Sequence, residues 1–203
     1  MIITYYGASC FKVQSGDIVV AFNPPAKDSS FKSPRFQTDI ALISSSGKDY
    51  NGAENLAGKN SNEIPFVIDG AGEYEIGGMH IKGIAVGDNT IYVLSLENIN
   101  LCHLGALNGD VNADIMEKIG NPDVVFMPVG GETMGVIDYE KASGIAAKIA
   151  AKVIIPSQYE EKSLKQFIKE FGAGDVEPLD KFTFKKKDIV DKKGEVVILK
   201  PVV

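Results

Sequence analysis

The sequence predicts a layered α/β fold in which mixed sheets carry helices on their outer faces. Three observations predict it. Residues 2–103 break into short β-rich segments punctuated by Gly, Pro and Asn, apolar spacing lengthens to a helical period beyond Val111 with buried strands between the helices, and the tail returns to strand. The chain has 203 residues, 44% apolar and 24% charged, which is enough for one sizeable core. No linker, low-complexity tract or repeat interrupts it, so residues 1–203 read as a single domain.

Strands over 2–6, 10–14 and 18–22 are separated by Gly7 and by the hairpin-type turn Ser15-Gly16-Asp17, and read as an antiparallel meander. Asn23-Pro24-Pro25 stops the third strand because prolines remove ladder donors, and the polar stretch to Thr38 reads as loop. Residues 39–44 form a short buried strand that runs into the polar loop Ser45-Ser46-Gly47-Lys48-Asp49-Tyr50-Asn51, a common place for a site. Strands follow over 66–69, 79–84, 90–96 and 99–103, with turns at Gly70-Ala71-Gly72 and Gly77-Gly78. Residues 111–119 and 139–151 read as helices, the second placing Ala142, Ile145, Ala146 and Ile149 on one face. Buried strands cover 123–127 and 152–155, a third helix covers 160–171 and stops at Gly172, and residues 181–187 and 195–200 read as strands.

The charge balance, 21 Lys+Arg against 27 Asp+Glu for a net −6, offers no basic field to a phosphate backbone, so nucleic acid is not an expected partner. No apolar run approaches the ~20 residues that cross a bilayer, and the N-terminal segment lacks the basic and apolar regions of an export signal. A cytoplasmic protein without a membrane partner is expected. Cys10 and Cys102 read as buried small hydrophobes rather than a bridge.

Several segments, taken in order, resemble one family. Residues 3–11 (ITYYGASCF), the loop after 39–44, and Gly72-Glu73-Tyr74-Glu75-Ile76-Gly77-Gly78 are similar to the metallo-β-lactamase fold. Cys102-His103-Leu104-Gly105, Pro128-Val129-Gly130-Gly131 and residues 153–159 agree with it, and most resemble the branch of small uncharacterised metal-dependent hydrolases related to ascorbate-6-phosphate lactonases. The resemblance implies a four-layer αββα sandwich of two mixed sheets with a site at one edge. It also implies two metal ions held by imidazoles and carboxylates, which lower the pKa of bound water to about 7 and polarise the substrate.

The ligand pattern of that resemblance is largely missing. The family's Thr/Ser-His-x-His-x-Asp-His loop, laid on Ser44, places Ser45, Gly47 and Tyr50 at its histidines and matches only Asp49. A further histidine position falls in the short turn Ala85-Val86-Gly87-Asp88-Asn89, the bridging aspartate position is Ala106, and the last histidine position is Gln158. A site-lining histidine position is Ala8, and the usual Asp-Pro is Asn23-Pro24. Serine, glycine and alanine give a divalent ion almost nothing, and a glutamine carbonyl or a phenol is a weak zinc ligand beside imidazole.

The remaining chemistry-bearing residues have structural readings. Asp49 fits the cap of a helix over 51–57 better than a lone metal ligand. Ser44, Ser45 and Ser46 beside Lys48 read as space-filling rather than as a nucleophile and its base. Strand alternation turns His80 to solvent, while His103 reads as a hydrogen-bonded residue behind the former metal ligands. Glu73 and Glu75 read as solvated, and Lys185-Lys186-Lys187 as a solvated hairpin edge. The expectation is a degenerate fold without cofactor that binds a small polar ligand or a protein partner, with self-association open. Its vestigial site comprises Ser45, Gly47, Asp49, Tyr50, Ala106 and Gln158. The alternative is a zinc- or manganese-dependent hydrolase of a lactone or phosphoester with an atypical site.

Overall fold

The structure is a computed structural model that describes residues 1–59 and 63–202. Strands β1 (Ile2–Tyr5), β2 (Phe11–Ser15) and β3 (Ile18–Phe22) form the expected antiparallel meander, turned between β2 and β3 by Gly16 at φ +57°. β4 (Ile40–Leu42) and β5 (Phe66–Ile68) extend that sheet in parallel. Four antiparallel strands follow: β6 (Gly72–Ile76), β7 (Met79–Val86), β8 (Asn89–Leu96) and β9 (Ile99–His103).

From here strands alternate with helices, because fully buried segments such as VVFMP and VIIPS must be covered on both faces. The order is α1 (Ala113–Ile119), β10 (Val124–Pro128), α2 (Tyr139–Ile149), β11 (Val153–Ser157) and α3 (Glu161–Phe171). Asn112 and Asp138 cap α1 and α2 by accepting from Ile115 N and Lys141 N, and Gly172 ends α3 at φ +72°. The tail adds β12 (Phe182–Thr183), α4 (Lys186–Ile189) and β13 (Glu195–Val196).

Two mixed sheets result, β12-β1-β2-β3-β4-β5 and β13-β11-β10-β9-β8-β7-β6. Their inner faces bury Ile3, Phe11, Phe22, Leu42, Tyr92 and Phe126 against one another. A second core, with Val125, Met127, Ala142, Ala146, Ile149 and Phe167, fixes the helices on the outer face of the seven-stranded sheet. The outer face of the six-stranded sheet is covered by a smaller cluster, Ala21, Ala41, Ile43, Ala53 and Leu56, so its cover is a loop and one 3-10 turn at Ala53–Asn55.

Three local readings are corrected. Residues 181–187 are not one strand: after Thr183 the chain turns into α4, where Asp188 accepts from Lys185 N and Lys186 pairs with the buried Asp123 at 2.6 Å. The lysine run is therefore not a hairpin edge; local capping and a buried carboxylate override strand propensity. The helix over 51–57 is a single 3-10 turn whose cap, Gly52, makes no side-chain bond, so Asp49 caps nothing. Strand pairing over 195–200 is regular only at Glu195–Val196, with Val197 N still donating to Ile154 O.

Candidate functional site

The site grows from a buried polar network where the two sheets meet. Asn23, at φ +45° just past β3, donates from Nδ2 to Ser9 Oγ (3.2 Å) and Ser44 Oγ (2.9 Å), while its Oδ1 accepts from Ser44 N (2.8 Å). Across from it, His103 at the end of β9 accepts from Gly105 N at Nδ1 (3.0 Å), which leaves the ring proton on Nε2, 3.1 Å from Ser9 O. The imidazole stacks on Phe22 at 4.8 Å and meets Phe11 and Phe126 with its other sides. Burial, only partly opposed by the bond to Ser9 O, pushes its pKa down to about 3, so it is neutral at physiological pH.

Above the network lies a cavity of about 330 Å³. Ser45 and Tyr50 reach it from the loop after β4, and Gly87, Asp88 and Asn89 from the β7–β8 turn. Ala106 and Asn108 follow β9, and Met134 and Gly135 follow β10. Gly105 makes the close approach possible: at φ +67°, a Cβ there would stand 2.6 Å from Ser44 Oγ and 2.4 Å from Asn89 Oδ1. Asn89 fixes the wall by accepting from Ala106 N (2.7 Å) and donating to Leu104 O (2.9 Å).

Behind the wall stands Gln158, 2% exposed and at φ +48°, just past β11. Its Nε2 donates to Tyr50 Oη at 2.6 Å, joining the seven-stranded sheet to the loop of the other. Its backbone N–H donates to Ala8 O, and Ala8 is itself at φ +50°. Burial raises the Tyr50 pKa, the Gln158 bond lowers it and nearby Asp49 raises it; the net shift is upward, so the phenol keeps its proton.

A family profile described as a beta-lactamase superfamily domain matches residues 2–158. The chain belongs to this superfamily. A Thermotoga maritima structure provisionally described as a zinc-dependent hydrolase of the metallo-β-lactamase superfamily is 27% identical, with a TM-score of 0.79 over 98% of this chain and 97% of that one. Igni18 of Ignicoccus hospitalis, described as a metallo hydrolase, is 19% identical over 91% and 99% (TM-score 0.63). The metallo-β-lactamase fold protein YhfI of Bacillus subtilis is 12% identical over 100% and 98% (0.65). These two likenesses concern the fold alone. No curated protein matched the chain.

The residues of this metallo-β-lactamase sandwich do not fit the binuclear metal centre that the superfamily implies. No group of three or more His, Cys, Asp or Glu side chains converges among the described residues. The matched loop aspartate, Asp49, accepts from Ser29 Oγ at 2.6 Å and does not line the cavity. Both nitrogens of His103 are engaged, a methyl stands at Ala106, and the Tyr50 phenol oxygen accepts from Gln158.

Of the vestigial-site residues, Ser45, Tyr50 and Ala106 share the cavity, and Gln158 lies one hydrogen bond behind Tyr50 rather than in the lining. Gly47 packs beneath the Tyr50 ring, where a Cβ would meet Cδ2 at 3.3 Å. Asp88 adds a carboxylate to the lining. Asp88, Asn89, Asn108 and Met134 escaped sequence reasoning; the signal for the first two was the histidine position that falls on their turn. Ser44 is buried in the Asn23 network and no hydrogen bond joins Lys48 to a serine among the described residues, so no nucleophile pair forms. His80 is exposed, 3.9 Å from Glu75, and Cys10 and Cys102 are buried free thiols, as expected. Among the described residues no helix is long and apolar enough to cross a membrane.

Proposed function

We propose that this chain is a metallo-β-lactamase-fold protein that has given up the binuclear centre and binds a small polar ligand at the sandwich edge without catalysing its hydrolysis. The observation that carries the reading is the Gln158–Tyr50 hydrogen bond: two positions where the resemblance expects metal-binding histidines instead bond to each other at 2.6 Å. The network beneath supports it. Asn23 uses both Nδ2 protons on hydroxyls, which a carboxylate could not do, and His103 is neutral, so the floor is satisfied without any anionic charge that would hold a cation.

The competing reading, a hydrolase with an atypical metal site built from Asp49, Tyr50, His103 and Gln158, is favoured by the 27% identity to the Thermotoga protein. Against it, Asp49 is bonded to Ser29 and His103 is sealed among Phe11, Phe22 and Phe126. Elemental mass spectrometry on untagged protein expressed with added zinc and manganese separates the two. Less than about a tenth of an equivalent is expected, since a site lacking deprotonated ligands gives metal affinity no basis. One or two equivalents, with hydrolysis of bis(p-nitrophenyl) phosphate or a lactone, would overturn the proposal.

A further inference from the structure

Gln158 carries two costs at once. Its left-handed backbone, φ +48°, is disfavoured for any residue with a Cβ. Its side chain is buried with one amide atom, Oε1, that finds no hydrogen-bond partner among the described residues, a desolvation cost. Glycine would relieve the first and an apolar residue the second. The bond to Tyr50 is the one return that the side chain makes, and its effect is to hold the phenol oxygen as an acceptor. The phenol proton, retained because the pKa is raised, is left to point elsewhere, and Tyr50 is also a wall of the cavity.

The lining then has a definite sense. Tyr50 and Ser45 bring hydroxyl donors, Asn108 an amide and Asp88 a carboxylate acceptor, while Ala106 and Met134 supply apolar contact; among the described residues no Lys, Arg or His lines the cavity. A ligand with its own negative charge would meet Asp88, with Asp49 close to Tyr50, and find no cation to offset the desolvation. Adjacent hydroxyl groups suit it instead, because a hydroxyl accepts from Tyr50 and donates to a carboxylate.

Resting on the reading of this edge as a binding site, we infer that the cavity takes a small uncharged polyhydroxylated molecule, recognised by Tyr50, Asn108 and Asp88, with Gln158 as the positioning residue for the Tyr50 proton. This departs from the anionic ligands that a dicationic centre would favour.

The test uses myo-inositol as the neutral probe and inorganic phosphate as the anionic one, added separately to 15N-labelled full-length protein. Myo-inositol is expected to move the amide signals of Gly87, Asn108 and Gly135, saturating in the millimolar range, and phosphate to leave them in place. Tyr50→Phe and Gln158→Met should each weaken myo-inositol about tenfold, the loss of one hydrogen bond, with the aromatic-shifted signals around His103 unchanged as evidence of an intact fold. Phosphate moving the same signals at lower concentration than myo-inositol, or myo-inositol moving none of them, overturns the inference. So does a Gln158→Met protein that is folded and binds myo-inositol as wild type does. Metal content measured on the same sample separates the failures: metal-free protein without myo-inositol binding ends this inference alone, whereas metal-loaded protein ends the underlying reading.

Discussion

His103 and Asp123 stand at opposite ends of the parallel pair β9 and β10, and each buries an ionisable group in its own way. His103 is neutral, ringed by three phenylalanines, with its two nitrogens spent on backbone groups. Asp123 is charged: burial pushes its carboxyl up, but hydrogen bonds from Lys152 and Lys186 at 2.6 Å each and from Asn100 N outweigh burial and hold it below the ordinary range. The network around His103 is buried without charge, and the far end is where charge is buried and paired. Buried charge in this sandwich therefore sits where it ties the tail down, while the network beneath the cavity is polar without charge.

The largest expected effect falls on the neutral end. His103→Ala removes a ring packed on three aromatics and strands Gly105 N, and should cost about 4 kcal/mol in urea unfolding; a loss below about 1 kcal/mol would show that the ring is not a structural keystone. At the charged end, Asp123→Ala should cost about 2 kcal/mol, less than a fully buried pair would, because Lys152 and Lys186 are partly exposed and can turn to water.

Acid separates the two ends. His103 binds its proton near pH 6.5 when unfolded but near 3 when folded, so stability is full above pH 6.5 and falls by about 1.4 kcal/mol per pH unit as pH drops below it. Asp123, with its folded pKa depressed, contributes above the unfolded value of 3.8 and loses that contribution only as pH falls below it. Denaturant midpoints between pH 7 and 4.5 should therefore decline in wild type and stay nearly flat in His103→Gln. The smallest effect is expected at Asp49: Asp49→Ala loses a half-exposed bond to Ser29 and should change stability by less than about 0.5 kcal/mol. A large loss would mean that this carboxylate does more than hold its loop.

The alternation of apolar residues made the meander legible, and the apolar runs around Val125 and Ile154 made the covered parallel strands legible, because a single face or its absence dictates those patterns. α4 was hidden because Phe182-Thr183-Phe184 favours a strand locally, while the turn that follows is decided by Asp188 at home and by Asp123 far away in sequence. At the site, the motif positions Ser45, Tyr50 and Ala106 share one cavity and Gln158 lies behind it. They could not show that Asp49 turns to Ser29, since that depends on a loop partner with no pattern of its own. Nor could they reveal Asn108 and Met134, which reach the cavity through the packing of loops that follow β9 and β10.

The outer edge of β1 has a consequence for how the chain reaches its fold. Ile2 and Ile3 pair with Thr183 and Phe182, and Val202 N donates to Tyr5 O. β1 thus waits for residues far later in the chain before its edge is covered. During synthesis the meander presents an open, apolar strand edge to its surroundings, and such contacts, distant in sequence, close slowly. The six-stranded sheet closes only once Phe182–Thr183 docks on β1, and the time spent before that is the interval in which this edge is most exposed to edge-to-edge aggregation.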